Sequence, residues 1–165
     1  MDAMEQYEVN TELAAASDLL DSTTAGHLAY LAKDGTPRVI PVGFYWTGAQ
    51  FIISTAETAP KVAALSAHPD VALTIDAGGT PDAARCLSVR GQVEIRIVDG
   101  VVEEYFAAAR KSMDAAAFEQ FADSCRKMYD RMARIAITPS WVRYYDYGTG
   151  RMPKFLQELA AKNGI

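Results

Sequence analysis

Short extended runs separated by two tight turns occupy residues 26–54, and this pattern constrains the fold more than any other feature of the sequence. The runs are 26–32, 38–46 and 50–54, and the turns are centred on Asp34-Gly35 and Thr47-Gly48. Glycine-containing turns of this kind join neighbouring antiparallel strands. The sequence therefore predicts an antiparallel meander of three strands.

The remaining residues alternate between helical and extended patterns. Predicted helices are 11–22 with Asn10 or Thr11 as its cap, 59–67 with Pro60 in its first turn, 99–111 capped by Asp99, 114–132 capped by Asp114, and 153–162. Predicted strands are 71–76, 86–98, 133–138 and 141–147, the last two separated by Pro139-Ser140. Seven short strands with helices at their side predict an α+β fold, a six- to seven-stranded antiparallel barrel forming one domain over residues 1–165.

Composition excludes several classes of protein. The chain has 165 residues, which suits one domain, and no apolar run approaches the roughly 18 to 20 residues needed to cross a bilayer. Its first residues lack the basic and apolar segments of a secretory signal, so we expect a cytoplasmic protein. The net charge of −5 gives no electrostatic footprint for nucleic acid. We therefore expect neither a membrane nor a nucleic-acid partner.

The acidic charge is concentrated at the start of the chain. Residues 1–22 hold six carboxylates and no lysine or arginine; these are Asp2, Glu5, Glu8, Glu12, Asp18 and Asp21. A charge run of this length is typical of a solvated helix face. We interpret it in that way.

Familiar catalytic signatures are absent from the sequence: it has no glycine-rich dinucleotide or phosphate loop and no nucleophile elbow. Two cysteines cannot make a disulfide framework, and no Cys/His spacing suits zinc. We interpret Cys86 and Cys125 as core residues and His68 as a helix-end residue. His27 is either a satisfied structural histidine or a pocket residue.

Four short motifs in the first half of the chain are more informative. They are Asp34-Gly35-Thr36-Pro37, then Arg38-Val39-Ile40-Pro41-Val42, then Ser54-Thr55 at a strand end, and then Lys61 and Leu65 before His68-Pro69-Asp70-Val71. This segment resembles the pyridoxamine 5'-phosphate oxidase-like family of FMN-binding split barrels. The resemblance implies a homodimeric split barrel, with a flavin in each of two grooves at the dimer interface.

The resemblance also implies roles for individual residues. A phosphate is well held where a helix N-terminus meets a lysine and hydroxyl groups. We therefore expect the cofactor phosphate at Ser54, Thr55, Thr58 and Lys61. The strand that runs from Arg38 through Val39, Ile40, Pro41 and Val42 is expected to face the flavin ring with its backbone. Pro41 fits beside a ligand because it removes a hydrogen-bond donor from the strand.

Four further residues are candidates on weaker grounds. Arg38 and Arg90 would flank the groove and reach a phosphate or a substrate anion, although both also suit a strand surface. In this family the late strand of the second subunit commonly closes over the flavin, which makes Trp141 and Arg143 cofactor-binding candidates. Trp141 equally suits the core of a dimer interface.

The expected function is an FMN-dependent oxidoreductase that passes hydride or electrons to a small organic substrate. No histidine follows His68, so the Arg-x-His of members that oxidise pyridoxamine phosphate is missing, and we expect a different substrate. One alternative is a reductase dependent on coenzyme F420, the deazaflavin; a single basic residue, Lys61, near the phosphate helix favours FMN. Another is a non-catalytic flavin- or haem-binding module, with His27 or His68 as the haem ligand.

Overall fold

The computed structural model describes residues 4–165, so that Asp2 of the acidic run lies outside the described residues. The described part of the chain folds into six helices and one sheet of seven strands. In chain order the elements are α1 Gln6–Ala15, α2 Ser17–Ser22, β1 Ala25–Leu31, β2 Pro37–Gly43, β3 Tyr45–Trp46, β4 Phe51–Ala56, α3 Pro60–Ala67, β5 Asp70–Ala77, β6 Arg85–Asp99, α4 Glu103–Arg110, α5 Ala115–Met128, β7 Arg131–Asp146 and α6 Lys154–Lys162. Short 3-10 helices cover Pro81–Ala83 and Tyr147–Thr149.

All neighbouring strands are antiparallel, in the order β2-β1-β5-β6-β7-β4-β3. Strands β2 and β4 stand far apart in this order, yet they lie close together in space. No β-bridge joins them within residues 4–165, so the sheet curls into a barrel with an open seam. The predicted α+β class is confirmed, and the architecture is consistent with a split barrel.

The prediction of two strands on either side of Pro139 is wrong, because β7 continues through it. The register of β7 against β6 shifts between Arg90 and Gly91, where a β-bulge places Gly91 opposite Pro139. A Cβ atom on Gly91 would lie 2.2 Å from the Thr138 carbonyl oxygen, so only glycine permits this close approach. A bulge is one of the few places in a sheet where proline is tolerated.

Two helix starts also differ from the prediction. The first helix begins at Gln6 instead of Thr11 and is interrupted at the fully buried Ala16, so that it divides into α1 and α2. Asp99 caps no helix because it is the last residue of β6, and α4 begins at Glu103. The predicted cap of α5 is confirmed: the Asp114 carboxylate accepts the Ala117 N–H at 2.8 Å.

The predicted strand 38–46 is interrupted at Phe44, which is 1% exposed and separates β2 from β3. The predicted meander of three strands is therefore wrong, because β1 pairs with β2 and β3 pairs with β4 at opposite ends of the strand order. The Phe44 N–H still donates to the Thr24 carbonyl, in register with the β1–β2 pairing. Burying a side chain of this size contributes about 1.5–3 kcal/mol. Phe44 belongs to the main core inside the barrel, and a smaller cluster between the sheet and α4 contains Ile52, Val102, Met132 and Ala136.

Helix α1 packs along the edge of β7 that β4 leaves uncovered. The interpretation of the acidic run as a purely solvated face is therefore wrong for Glu12, which accepts a hydrogen bond from β7. No helix among residues 4–165 is long and apolar enough to cross a membrane.

Candidate functional site

Strand β2 has an open backbone edge because it pairs only with β1. The Ala32 N–H donates to Thr36, and the Phe44 N–H donates to Thr24, which marks even-numbered residues as the hydrogen-bonded positions of this hairpin. In an antiparallel pair these positions alternate with residues whose backbone groups point away. The N–H and C=O groups of Val39 therefore face the seam towards β4. Pro37 and Pro41 occupy equivalent positions and have no N–H to offer.

Side chains of β2 alternate in the same way. Ile40 and Val42 pack on the core, whereas Val39 is 67% exposed and Pro41 is exposed on the outer face of the barrel. Arg38, at the start of the strand, donates to the Thr36 hydroxyl and lies 3.5 Å from the Asp34 carboxylate. The predicted ring-facing segment thus forms one wall of the seam, with its only interior N–H at Val39.

The structure separates the four residues of the predicted phosphate site. Ser54 shares the helix-covered face of β4 with Ile52, while Thr55 shares the opposite face with Ile53, because side chains alternate along a strand. Thr58 is exposed in the turn that follows. Thr55, Thr58 and Lys61 lie along the path from the end of β4 into α3, and Ser54 faces away from Thr55.

Lys61 is the second residue of α3 and is half-buried. Burial lowers the pKa of its ammonium group, because the charged form loses water. Within residues 4–165 its ammonium makes no ion pair or hydrogen bond, and the N-terminus of α3 has no side-chain cap. An unpaired half-buried cation at an uncapped helix start is a site suited to an anion.

Arg90, Trp141 and Arg143 lie together on the outer face of the sheet. The guanidinium carbon of Arg90 is 4.2 Å from the centre of the Trp141 ring, and that of Arg143 is 5.5 Å from it. The strand register runs Val39–Ala29–Ala72–Arg90–Trp141. Four strand spacings make roughly 19 Å along the sheet, so Trp141 and Val39 of one chain cannot touch the same ring.

The remaining candidates lie elsewhere. His27 is on the outer face, more than half exposed, with its Nδ1 atom 3.9 Å from the Asp76 carboxylate. His68 ends α3, as predicted. Cys125 is buried in α5, but the interpretation of Cys86 as a core residue is wrong: it is half-buried on the outer face. Burial, and then the Asp76 carboxylate, raise the pKa of the Cys86 thiol.

A cavity of about 160 Å³ that the sequence did not indicate lies between the sheet and the helices α4 and α5. Its sheet side includes Gly43, the last residue of β2, together with Ile52 and Ser54 of β4; its helix side includes Glu104, Tyr105, Ala108, Ala109 and Phe121. The small residues Ala107-Ala108-Ala109 are the sequence feature that could have indicated this cavity. Only the packing of α4 shows that Ala108 and Ala109 face an open space.

One acidic group of the cavity is held in place by an ion pair. Arg134 donates from Nε at 2.9 Å and from Nη2 at 2.6 Å to the same oxygen of Glu104, Oε1. These bonds hold the pKa of Glu104 below its usual range, against a smaller opposing effect of burial. Burial raises the pKa of the neighbouring Tyr105 hydroxyl, and the nearby Tyr129 adds to this effect. At neutral pH the cavity therefore contains a carboxylate and a neutral phenol.

A curled antiparallel sheet with an open seam and helices at its side is consistent with the class of small split-barrel proteins. The chain belongs to the pyridoxamine 5'-phosphate oxidase family, whose sequence profile matches residues 13–146. This match confirms the resemblance read from the sequence.

Solved structures show the same fold. A conserved hypothetical protein from Mycobacterium tuberculosis is 19% identical, with a TM-score of 0.64 over 91% of this chain and 89% of its own. An F420 reductase is 26% identical, with a TM-score of 0.54 over 76% of this chain and 94% of its own. The haem storage protein of Vibrio cholerae is 14% identical, with a TM-score of 0.57 over 79% of this chain and 92% of its own. No curated protein matches the sequence.

Proposed function

We propose that this protein is a cytoplasmic, FMN-dependent oxidoreductase that binds the cofactor at the seam between β2 and β4 and acts on a small organic molecule. The observation that carries this proposal is Lys61, an unpaired half-buried cation at the uncapped start of α3. A fold gains nothing from burying such a charge alone, whereas a bound phosphate would compensate it.

The residues along the seam fit the two ends of FMN. The phosphate would lie between the ammonium and backbone N–H of Lys61 and the hydroxyls of Thr55 and Thr58. The pyrimidine edge of the ring carries adjacent donors and acceptors, which the N–H and C=O of Val39 would complement. When bound, FMN supplies the hydride and electron transfer. The chain's own residues bind the cofactor, orient it along β2 and exclude water from its inner face.

The proposal includes a homodimer. The outer face around Val39 presents the apolar residues Ala29, Ala72 and Leu31. Burying this face against a second copy would stabilise both chains. Arg90 and Trp141 lie on the same face, three and four strand spacings from Val39, or roughly 14 Å and 19 Å along the sheet. Together with the neighbouring Arg143 they would reach the cofactor of the other chain.

The test is the absorption and fluorescence spectrum of the purified protein, followed by titration with FMN and with coenzyme F420. We expect a yellow protein that binds FMN. The Lys61→Ala variant should bind FMN about 1.5–3 kcal/mol more weakly, the usual range for a hydrogen bond to a charged group. Lys33→Ala, in the exposed turn between β1 and β2, is the matched control and should bind FMN normally. FMN binding that is unaffected by Lys61→Ala would contradict the phosphate position.

A second candidate is a reductase dependent on coenzyme F420, supported by the F420 reductase that is 26% identical. The same titration separates the two, because F420 binding without FMN binding would replace the first proposal. A haem-binding module has less support, since the haem storage protein is only 14% identical and shows the fold alone. For that candidate, His27→Ala and His68→Ala together should abolish the Soret band after haem is added.

A further inference from the structure

The cavity under α4 and α5 has walls made mostly of apolar atoms and is kept open by small residues. Ala108 and Ala109 face the cavity from α4. The rings of Tyr105 and Phe121 lie at its side, with their centroids 5.7 Å apart. Gly43 has no positive φ, and a Cβ atom there would meet only Thr24 at an ordinary 3.6 Å. The backbone therefore does not require glycine at position 43, and its effect is to leave space.

Among the described residues, the one charged group that lines the cavity is an acid, and Arg134 already pairs with it. The lining of the cavity within residues 4–165 includes the Glu104 carboxylate and no lysine or arginine. Arg134 donates from Nε and Nη2 to Oε1 of Glu104, and no side-chain donor of the described residues reaches Oε2. A ligand with an O–H or N–H group could donate to Oε2, whereas a fully ionised phosphate or carboxylate has no hydrogen to donate to it.

The size of the cavity sets the size of the ligand. Apolar protein cavities of about 150 Å³ take up single benzene-sized molecules. The cavity here measures about 160 Å³, and two of its polar groups are the Ser54 hydroxyl and the Glu104 carboxylate. A single six-membered ring with one donor group matches both the volume and the polarity.

We propose that this cavity is a binding site for small, uncharged single-ring compounds that carry a hydrogen-bond donor, and that it excludes phosphorylated ones. Gly43 ends β2 and Ser54 lies on β4, so the cavity adjoins the seam assigned above to the cofactor. Its role as the substrate pocket rests on the proposed function. Its selectivity for a neutral ring rests only on the lining residues.

The test compares two probes that differ by charge, phenol and phenyl phosphate, against the full chain as purified. Titration followed by NMR should show phenol binding at least about tenfold more tightly than phenyl phosphate at neutral pH. Nuclear Overhauser contacts from phenol should reach the methyl groups of Ala108 and Ala109. Equal or tighter binding of phenyl phosphate, or contacts elsewhere on the protein, would overturn the proposal.

A filling variant provides the second measurement. Ala108→Leu should weaken phenol binding at least about tenfold, since the added side chain occupies the ligand's space. Ala116→Leu, on the exposed surface of α5, should leave binding unchanged. Normal phenol binding by Ala108→Leu would overturn the proposal. If that variant does not fold, the nuclear Overhauser contacts of phenol with the wild type test the proposal in its place. Titration of FMN into the same samples tests the cofactor proposal separately, because phenol binding is measured without added flavin.

Discussion

The carboxylate of Glu12 in α1 accepts the backbone N–H of Tyr144 in β7 at 2.7 Å. Its other oxygen accepts from Arg151 at 2.6 Å, and the Arg151 Nε donates to the Tyr144 carbonyl. Tyr144 lies on the edge of β7 that β4 leaves unpaired, and side chains satisfy both its N–H and its C=O. An open edge of this kind would otherwise be free to pair with another chain.

Removing this carboxylate should destabilise the fold. We expect Glu12→Ala to lower the free energy of unfolding by about 1–3 kcal/mol, because the Tyr144 N–H and the Arg151 guanidinium lose their partner. Chemical denaturation measures the change. Asp21→Ala, an exposed acid in α2, is the control and should change stability by less than about 0.5 kcal/mol. Equal effects of the two substitutions would show that α1 does not secure the β7 edge.

Lys61 should weaken the fold in the absence of ligand while it strengthens cofactor binding. Burial lowers the pKa of its ammonium, which means that the folded state disfavours the charged form. We therefore expect Lys61→Met to unfold at the same or a higher temperature than the wild type without flavin, and to lose the stabilisation that added FMN gives the wild type. A thermal melt with and without FMN measures both effects, with Lys33→Met as the matched control. A full FMN-induced shift in Lys61→Met would contradict the role assigned to Lys61.

Two proline substitutions in β2 should have opposite consequences. The Val39 N–H faces the seam, so Val39→Pro should spare the β1–β2 ladder and weaken FMN binding by about 0.5–1.5 kcal/mol, the value of one hydrogen bond. The Ile40 N–H belongs to the ladder with Leu28, so Ile40→Pro should destabilise the whole protein. Circular dichroism and FMN titration separate these outcomes. If Val39→Pro binds FMN normally, the ring does not use this edge.

The Glu104–Arg134 pair predicts a specific dependence of stability on pH. Arg134 holds the folded pKa of Glu104 below the ordinary value of 4.5, so the pair stabilises the fold above that pH and loses its effect as the pH falls through the folded pKa. We expect the free energy of unfolding of the wild type to exceed that of Glu104→Gln by about 1–3 kcal/mol at neutral pH. This difference should disappear in acid.

Denaturation curves recorded from neutral pH down to about pH 3 provide the measurement for this pair. The control is Glu103→Gln, the exposed neighbour in the first turn of α4, which should follow the wild type at every pH. A gap between wild type and Glu104→Gln that stays constant over the whole range would contradict the argument.

The proposed dimer can be tested at Ala29, which lies on the outer face between Val39 and Ala72. A carboxylate placed in an apolar interface loses water without gaining a partner, so Ala29→Glu should dissociate the dimer. Sedimentation should give twice the 17.9 kDa chain mass for the wild type and for the control Ala116→Glu, and the single mass for Ala29→Glu. A monomeric wild type at micromolar concentration would remove the basis for a site shared between chains.

Local chemistry explains which features could be read from the sequence. The Asp34-Gly35 and Thr47-Gly48 turns, the start of α3 at Pro60 and the Asp114 cap each depend on residues only a few positions apart, and each occurs as predicted. The family was readable for the same reason, because its motifs are short segments around these turns. Lys61 could be singled out by its place after a predicted strand and at a helix start.

Tertiary contacts decided the rest. Whether β7 continues through Pro139 depends on Gly91, 48 positions earlier in the chain, admitting the bulge. The faces taken by Ser54 and Thr55, the use of Glu12 at the β7 edge and the cavity beside Ala108 depend on which surfaces meet when the sheet curls. Sequence alone determined the two turns, the cap of α5 and the family, since neighbouring residues set them. The distribution of buried and open surface arose only on folding, because it requires residues that are distant in the chain to come into contact.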